Sequence, residues 1–302
     1  MGRREEDGSH DARARVEGPV CVVTDSTACL APQQLERHGI RMVPLQVVVG
    51  GVAKTEGTQV GPGEVAEALR RHVPVSTSRP SPQAFLDVYR SAADDGASHV
   101  VSVHLSRSVS GTVDAARLAA KEAPLPVDVV DSRSLGMGLG FAVLAAAEAA
   151  AAGSDAKSVV DIAAQRAASS AAFFYVDTLE YLRRGGRVGA ASAMVGTALA
   201  IKPLLHLSGG VIEPLEKVRT SGRAVARLED LAVGYAGDAD VDMAVHHLDH
   251  ADRAQALATR LSSRISALRS LVVAEVGAVI GAHVGPGLLA VVVSPLAAAP
   301  HA

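Results

Sequence analysis

The chain has 302 residues, 48% of them hydrophobic and 20% charged, with a formal net charge of −3. That length allows two domains, and near-neutral charge without basic residues interleaved with aromatics excludes a nucleic-acid binder. The longest apolar runs, near 141–153 and 271–282, are too short or too interrupted by glycine and glutamate for a membrane span. Residues 1–17 carry mixed charge with no apolar stretch behind them, so they are expected to be a disordered tail rather than a signal peptide. The expected compartment is the cytoplasm. Tryptophan is absent and aromatics total 3%, which leaves alanine, valine and leucine to build the interior. The two cysteines, Cys21 and Cys29, form no metal or redox motif.

A short apolar run at 20–24 predicts a buried strand ending in the polar loop Asp25-Ser26-Thr27. A helix over 32–37 follows, then a second strand over 40–49, a loop opened by Gly50-Gly51 and a short helix over 64–72. The prolines of 74–82 predict an extended segment without regular structure. Helix 82–93, strand 99–104, helix 111–122, strand 127–130 and an alanine-rich helix over 139–152 complete the first half. Strands alternating with helices predict a parallel sheet with both faces covered. Gly153-Ser154-Asp155 breaks the chain and caps a helix over 155–168, and the domain boundary is expected here, giving 18–153 and 154–296, with a C-terminal tail over 297–302.

The second half reads as α+β with an antiparallel pair. A strand over 172–176 precedes an arginine-rich segment and a small-residue helix at 189–200. Apolar runs at 204–207 and 211–218 flank Ser208-Gly209-Gly210, a hairpin turn. A helix near 221–235, a strand at 241–247, a helix at 251–267 and strands at 270–276 and 288–293 finish the chain.

Several clusters invite chemistry. Tyr181-Leu182-Arg183-Arg184-Gly185-Gly186-Arg187-Val188 places three arginines beside a glycine pair, which suits either an anion contact or a helix C-terminus closed by Gly185. Hydroxyls gather at Ser76-Thr77-Ser78 and at Ser106, Ser108, Ser110 and Thr112, in loops after strands. Ser110-Gly111 at a helix start suits capping first and an anion second. The glycines over 136–140, in the imperfect spacing G-x-G-x-G, suit loop–helix packing or a nucleotide. His246, His247, Asp249 and His250 lack a metal-binding pattern, and no G-x-S-x-G elbow supports a hydrolase. His283 stands ahead of the rigid turn Gly285-Pro286-Gly287, entering the final strand. Lys202 and Lys217-Val218-Arg219-Thr220 add cations.

In order along the chain, these segments resemble the DegV family of fatty-acid-binding proteins. The match is carried by Thr24-Asp25-Ser26-Thr27 with Pro32, Val43-Pro44-Leu45, Thr77-Ser78 with Pro80-Ser81, and Leu105-Ser106 with Ser110-Gly111-Thr112. It continues through Asp131-Ser132 with Gly136 and Gly140, the run from Asp177 to Leu182, Gly185-Gly186-Arg187, Ile201-Lys202-Pro203, Lys217-Val218-Arg219-Thr220, and His283 with Gly285-Pro286-Gly287. It spans about 19–294. The resemblance implies an N-terminal parallel-sheet α/β domain and a C-terminal α+β domain with one long-chain fatty acid between them. It implies a non-catalytic acyl carrier, without metal or cofactor of its own and expected to be monomeric, that presents the carboxyl group to an ATP-dependent fatty acid kinase. Thr77, Ser78, Ser110, Gly111 and His283 are implied to hold the carboxyl group. Arg187 and Arg219 are implied to serve phosphate or the docked kinase, and Asp25-Ser26 to organise the ligand-side loop. The alternative is a nucleotide-dependent enzyme using the Gly136 to Gly140 loop. The chain departs from the family pattern at Arg79, where glutamine is usual, at Val113-Asp114, at Leu288 and at Lys54-Thr55-Glu56.

Overall fold

A computed structural model describes residues 18–189, 191 and 202–296. The tails expected at 1–17 and 297–302, the helix expected at 189–200 and the residue Ile201 lie largely or wholly outside the described residues.

The first sheet is parallel, with strands β1 (Val20–Asp25), β2 (Arg41–Val43), β6 (His99–His104) and β7 (Val127–Asp131) in the order β2-β1-β6-β7. Such strands need cover on both faces. Helices α3 (Pro82–Asp94) and α4 (Thr112–Ala120) cover one face, with Phe85, Tyr89 and Ala92 of α3 spaced on one stripe against Val23 and Val100. Helices α5 (Met137–Ala151) and α6 (Ala156–Ala168) cover the other. Val159 and Ala163 of α6 share a core with Val101, Leu139 and Val143. The core of the first half therefore extends past the boundary expected at 153. Gly153-Ser154-Asp155 is a turn between two packed helices of one layer.

Helix α5 is apolar on nearly all of its surface, with Glu148 its one charged residue, and it is buried on two sides. Leu139, Val143 and Ala146 face the first sheet, while Met137 and Phe141 meet Ala244 and Val292 of the second.

That second sheet has six strands in the order β10-β9-β8-β13-β11-β12. They are β8 (Ala171–Tyr175), β9 (Lys202–Ser208), β10 (Val211–Val218), β11 (Val241–His247), β12 (Leu268–Glu275) and β13 (Leu289–Pro295). All neighbours are antiparallel except β11 and β12, so the antiparallel pair expected from sequence is the edge of a larger mixed sheet. Its turn is as expected, with Gly209 and Gly210 at φ +57° and +88°. Helices α8 (Ser221–Ala236) and α9 (Ala251–Arg264) bury Leu228, Leu257 and Leu261 on one face. The opposite face turns toward α5 and the rest of the first half.

Between the two sheets lies a layer that the sequence reading did not contain. The strand expected over 40–49 is two strands in two sheets. Pro44 has no N–H for a ladder, so the chain leaves the first sheet at Val43, and the Leu45 amide donates to Ser26 Oγ at 3.0 Å. It re-enters as β3 (Gln46–Val49), which turns at Gly50-Gly51 into β4 (Val52–Thr55). The segment expected to be irregular over 74–82 contains β5 (Val75–Ser78), antiparallel to β3 with Thr77 opposite Val47. Its prolines bound the strand rather than interrupt it. Helix α2 (Pro62–Arg70) and a short helix α10 (Ala278–Val284) pack on this sheet through Val65, Leu69, Ala278 and Ala282. Helix α10 comes from the second half, so this layer joins the two halves. No described helix is long and apolar enough to cross a membrane.

Candidate functional site

The interdomain layer encloses a cavity of about 330 Å³, near the lower end of the roughly 300–1,000 Å³ typical of small-molecule sites. Strands β8, β9 and β13 supply an apolar wall with Ala172, Phe174, Leu207, Ala290 and Val292, and α10 closes it with Val279, Ile280 and Val284. Apart from Thr27 and His246, which are hydrogen-bonded to Asp25 and to the Met137 amide and Ala274 carbonyl, the polar groups gather at one place. Thr77, Ser78 and Arg79 come from the end of β5 and the residue after it, Ser110 and Gly111 from the start of α4, His283 from the last turn of α10, and Arg187 from the loop after α7 (Glu180–Arg184).

These groups touch one another. Thr77 Oγ1 lies 2.8 Å from His283 Nε2, and Ser110 Oγ lies 2.9 Å from Thr112 Oγ1. Arg187 Nε donates to the Val109 carbonyl at 3.0 Å, and its Nη1 donates to the Gly185 carbonyl. His283 Nδ1 is buried against Gly185, where a Cβ would stand 2.2 Å away, and it has no hydrogen-bond partner among the described residues. A buried unpaired N–H is the rarer orphan, so the ring proton is assigned to Nε2. Nε2–H then donates to Thr77 Oγ1, and the Thr77 hydroxyl proton is free to be donated into the cavity. Burial, with the Arg187 guanidinium nearby, holds the His283 pKa down to about 4. The ring is therefore neutral near pH 7, and it orients Thr77 rather than supplying charge.

His283 stands ahead of the glycine-proline turn, as expected, but on a helix, α10, that the sequence pattern did not predict. The Gly285-Pro286-Gly287 turn that follows packs onto the α7 segment: side chains at 285 and 287 would collide with the Tyr181 ring and the Asp177 carboxylate. The arginine-rich segment closes a helix, as one of its readings expected, and sends one arginine to the cavity. Arg183 and Arg184 pair with Glu180 on the exposed face of α7, Gly185 ends the helix, and Arg187 alone of the three lines the cavity.

The remaining expected site residues divide. Asp25 does not line the cavity. It is fully buried and accepts from Thr27 N at 3.0 Å, Thr27 Oγ1 at 2.5 Å, Leu105 N at 3.0 Å and His104 Nδ1 at 3.0 Å. Ser26 accepts from the Leu45 amide. Thr27, Leu45 and Leu105 do line the cavity, so Asp25 and Ser26 act one step behind the wall. The chain Tyr89 Oη to Ser102 Oγ (2.9 Å) to His104 Nε2 (2.6 Å) to Asp25 repeats the residue types of a hydrolytic triad. All of its members are sealed from solvent, so Ser102 has no route to a substrate. Arg219 lies at the exposed end of β10 and does not reach the cavity. Of the hydroxyls after β6, only Ser110 lines it; Ser106 donates to the Gly210 carbonyl at 2.7 Å, tying the first half to the β9–β10 hairpin.

The glycine-rich run at the start of α5 is used for packing. The Met137 amide donates to His246 Nε2 at 3.0 Å, and a Cβ at Gly140 would stand 2.6 Å from the Ala28 carbonyl oxygen. His246 also bonds the Ala274 carbonyl through Nδ1 at 3.1 Å, and burial holds its pKa down to about 4. His247 Nδ1 accepts from His250 N, and Asp249 pairs with Arg70. Among the described residues no group of three or more His, Cys, Asp or Glu is placed to hold a metal ion.

The two depressed histidines predict an acid-sensitive fold. Each binds its proton less readily when folded than at the ordinary value of 6.5. Their stabilising effect is complete above about pH 6.5 and is lost as pH falls toward 4, by up to about 3 kcal/mol each. Glu56 has the opposite sign: burial raises its pKa, so it offsets part of this loss. The urea midpoint should fall between pH 7 and pH 5, and His283→Gln should flatten that dependence; an unchanged slope would refute the assignment.

The comparisons with known proteins agree on one relationship. The family model described as "Uncharacterised protein, DegV family" matches residues 19–296. A DegV domain-containing protein of Streptomyces coelicolor is 58% identical over 275 residues, 91% of this chain and 98% of the relative. One from Mycobacterium tuberculosis is 39% identical over 283 residues, 93% and 99% of the two chains. Among solved structures, a fatty-acid-binding DegV family protein from Thermus thermophilus aligns with a TM-score of 0.87 at 34% identity, over 92% of this chain and all of the other. The fatty-acid-binding DegV protein of Bacillus subtilis aligns at 0.84 and 31%, over 93% of this chain and all of the other.

Proposed function

The chain belongs to the DegV family, and from that premise we propose that it binds one long-chain fatty acid in the interdomain cavity and presents its carboxyl group to an ATP-dependent fatty acid kinase. The observation that carries the binding is a cavity with a long apolar wall and one cluster of hydroxyl, imidazole and guanidinium groups. A carboxylate leaving water needs several donors. The Thr77 hydroxyl, oriented by His283, is one; Ser78, Ser110 and the backbone at Gly111 supply others, each worth roughly 1.5–3 kcal/mol toward a charged acceptor. The tail adds about 0.8 kcal/mol per buried CH₂, so a long chain contributes roughly 10 kcal/mol before the cost of association. The tail sets affinity and the polar end sets position. No catalytic residue or cofactor is assigned to the chain itself.

Arg187 is the residue through which the carboxyl end meets the kinase or the transferred phosphate, since its planar fork suits both. Arg219, exposed on the second domain, is assigned to kinase docking alone. Native mass spectrometry of protein from lipid-fed cells, followed by lipid extraction, tests the reading. One fatty acid per chain supports it. Protein that carries none and takes up none in vitro ends it. With a fatty acid kinase, ATP and Mg²⁺, Arg187→Ala should still load at saturating fatty acid but form acyl phosphate about tenfold more slowly; an unchanged rate removes the kinase assignment.

A further inference from the structure

Arg79 follows β5 at the cavity rim and is exposed. Its side chain lies across Gly111: a Cβ at that position would stand 2.3 Å from Arg79 Nη1 and 3.0 Å from its Cδ. The glycine thus leaves the room that the guanidinium fills. The neighbouring carboxylate in the first turn of α4, Asp114, pairs instead with Arg107 at 3.0 Å. Among the described residues Arg79 has no ion-pair partner. The described residues lining the cavity include two fixed cations, Arg79 and Arg187, and no Asp or Glu. The His283 ring between these elements is neutral near pH 7.

Two guanidinium groups beside one helix start, with no carboxylate of the chain to offset them, make a local positive excess. Arg187 is already held by two carbonyls but retains other N–H donors. We propose that Arg79 is a specificity-determining residue which, with Arg187, forms a two-arginine clamp on the ionised head group. The clamp selects charged acyl ligands over uncharged ones of the same chain, and a dianionic phosphate head over a carboxylate. This rests on the fatty-acid reading given above and adds the head-group charge that the site prefers.

The test compares a saturated fatty acid, the alcohol of equal chain length and the corresponding alkyl phosphate, on wild type, Arg79→Gln and Arg79→Lys. For wild type the expected order of affinity is alkyl phosphate, then fatty acid, then alcohol. Arg79→Gln should weaken the fatty acid about fivefold to tenfold and the alkyl phosphate more, leaving the alcohol within about twofold. Arg79→Lys should keep part of the preference, because charge survives and the fork does not. Equal weakening of all three ligands, or none, would overturn the clamp. Wild type that binds the alcohol as tightly as the acid would also overturn it. Wild type that binds none of the three would instead defeat the fatty-acid reading.

Discussion

Replacing Ala290 by phenylalanine should abolish the proposed fatty-acid loading and leave the fold intact. Ala290 is central in the second sheet, opposite Phe174 on β8 and His246 on β11, and its side chain faces the cavity. A benzyl group there fills space the acyl tail needs. Excluding about four methylenes forfeits roughly 3 kcal/mol, more than a hundredfold in affinity. The new ring enters a cavity rather than a filled core, so the stability cost stays below the roughly 1–3 kcal/mol usual for overpacking. Displacement of a fluorescent fatty acid reads the affinity, and urea unfolding reads the fold. Ala290→Val should give a graded loss. If Ala290→Phe loads like wild type, the tail lies elsewhere.

Asp25→Ala should be the most damaging single change to stability. Four donors converge on this buried carboxylate, and alanine leaves all of them unpaired away from water. Breaking a buried charged network by removing one partner costs about 3–5 kcal/mol, or roughly 10 °C in melting temperature for a chain of this size. Because Thr27 and Leu105 line the cavity, the surviving folded protein should also bind fatty acid more weakly. Asp25→Asn keeps one accepting oxygen and should fall between. A melting temperature within 2–3 °C of wild type for Asp25→Ala would show that this network is not holding the loop.

What was legible in the sequence follows from how each element earns its stability. Strand β1 is a short apolar run before a polar loop, β6 and β11 are mostly apolar with a few polar residues, and α3 shows a clear stripe. Local pattern was enough to find them. The layer between the sheets was hidden because its signals are ambiguous one segment at a time. Pro44 moves the chain from one sheet to another inside a single apolar run. Strand β5 has four residues between prolines. Helix α10 has seven residues, nearly all buried, too few and too uniform to display a helical period. At the site, the hydroxyls, His283 and Arg187 were found because they are polar and matched a family pattern. Arg219 matched equally well and lies away from the cavity. The apolar wall was not resolved residue by residue: alanine- and valine-rich segments such as those holding Ala172, Ala290 and Val292 read in sequence as tunnel lining or ordinary core alike, since nothing local distinguishes a side chain facing a cavity from one facing a neighbour. Arg79 registered only as a departure from the pattern, and its place over Gly111 is a fact of three dimensions.

The contact between Thr77 and His283 joins residues 206 positions apart, and β13, the last strand in chain order, is an interior strand of the second sheet. A growing polypeptide can complete the first sheet early, whereas the second closes only once β13 inserts between β8 and β11. Long-range closure of this kind comes late in folding. The nascent chain therefore lacks the β13 wall of the cavity during most of its synthesis, so the site proposed for the acyl chain forms only once that strand is in place.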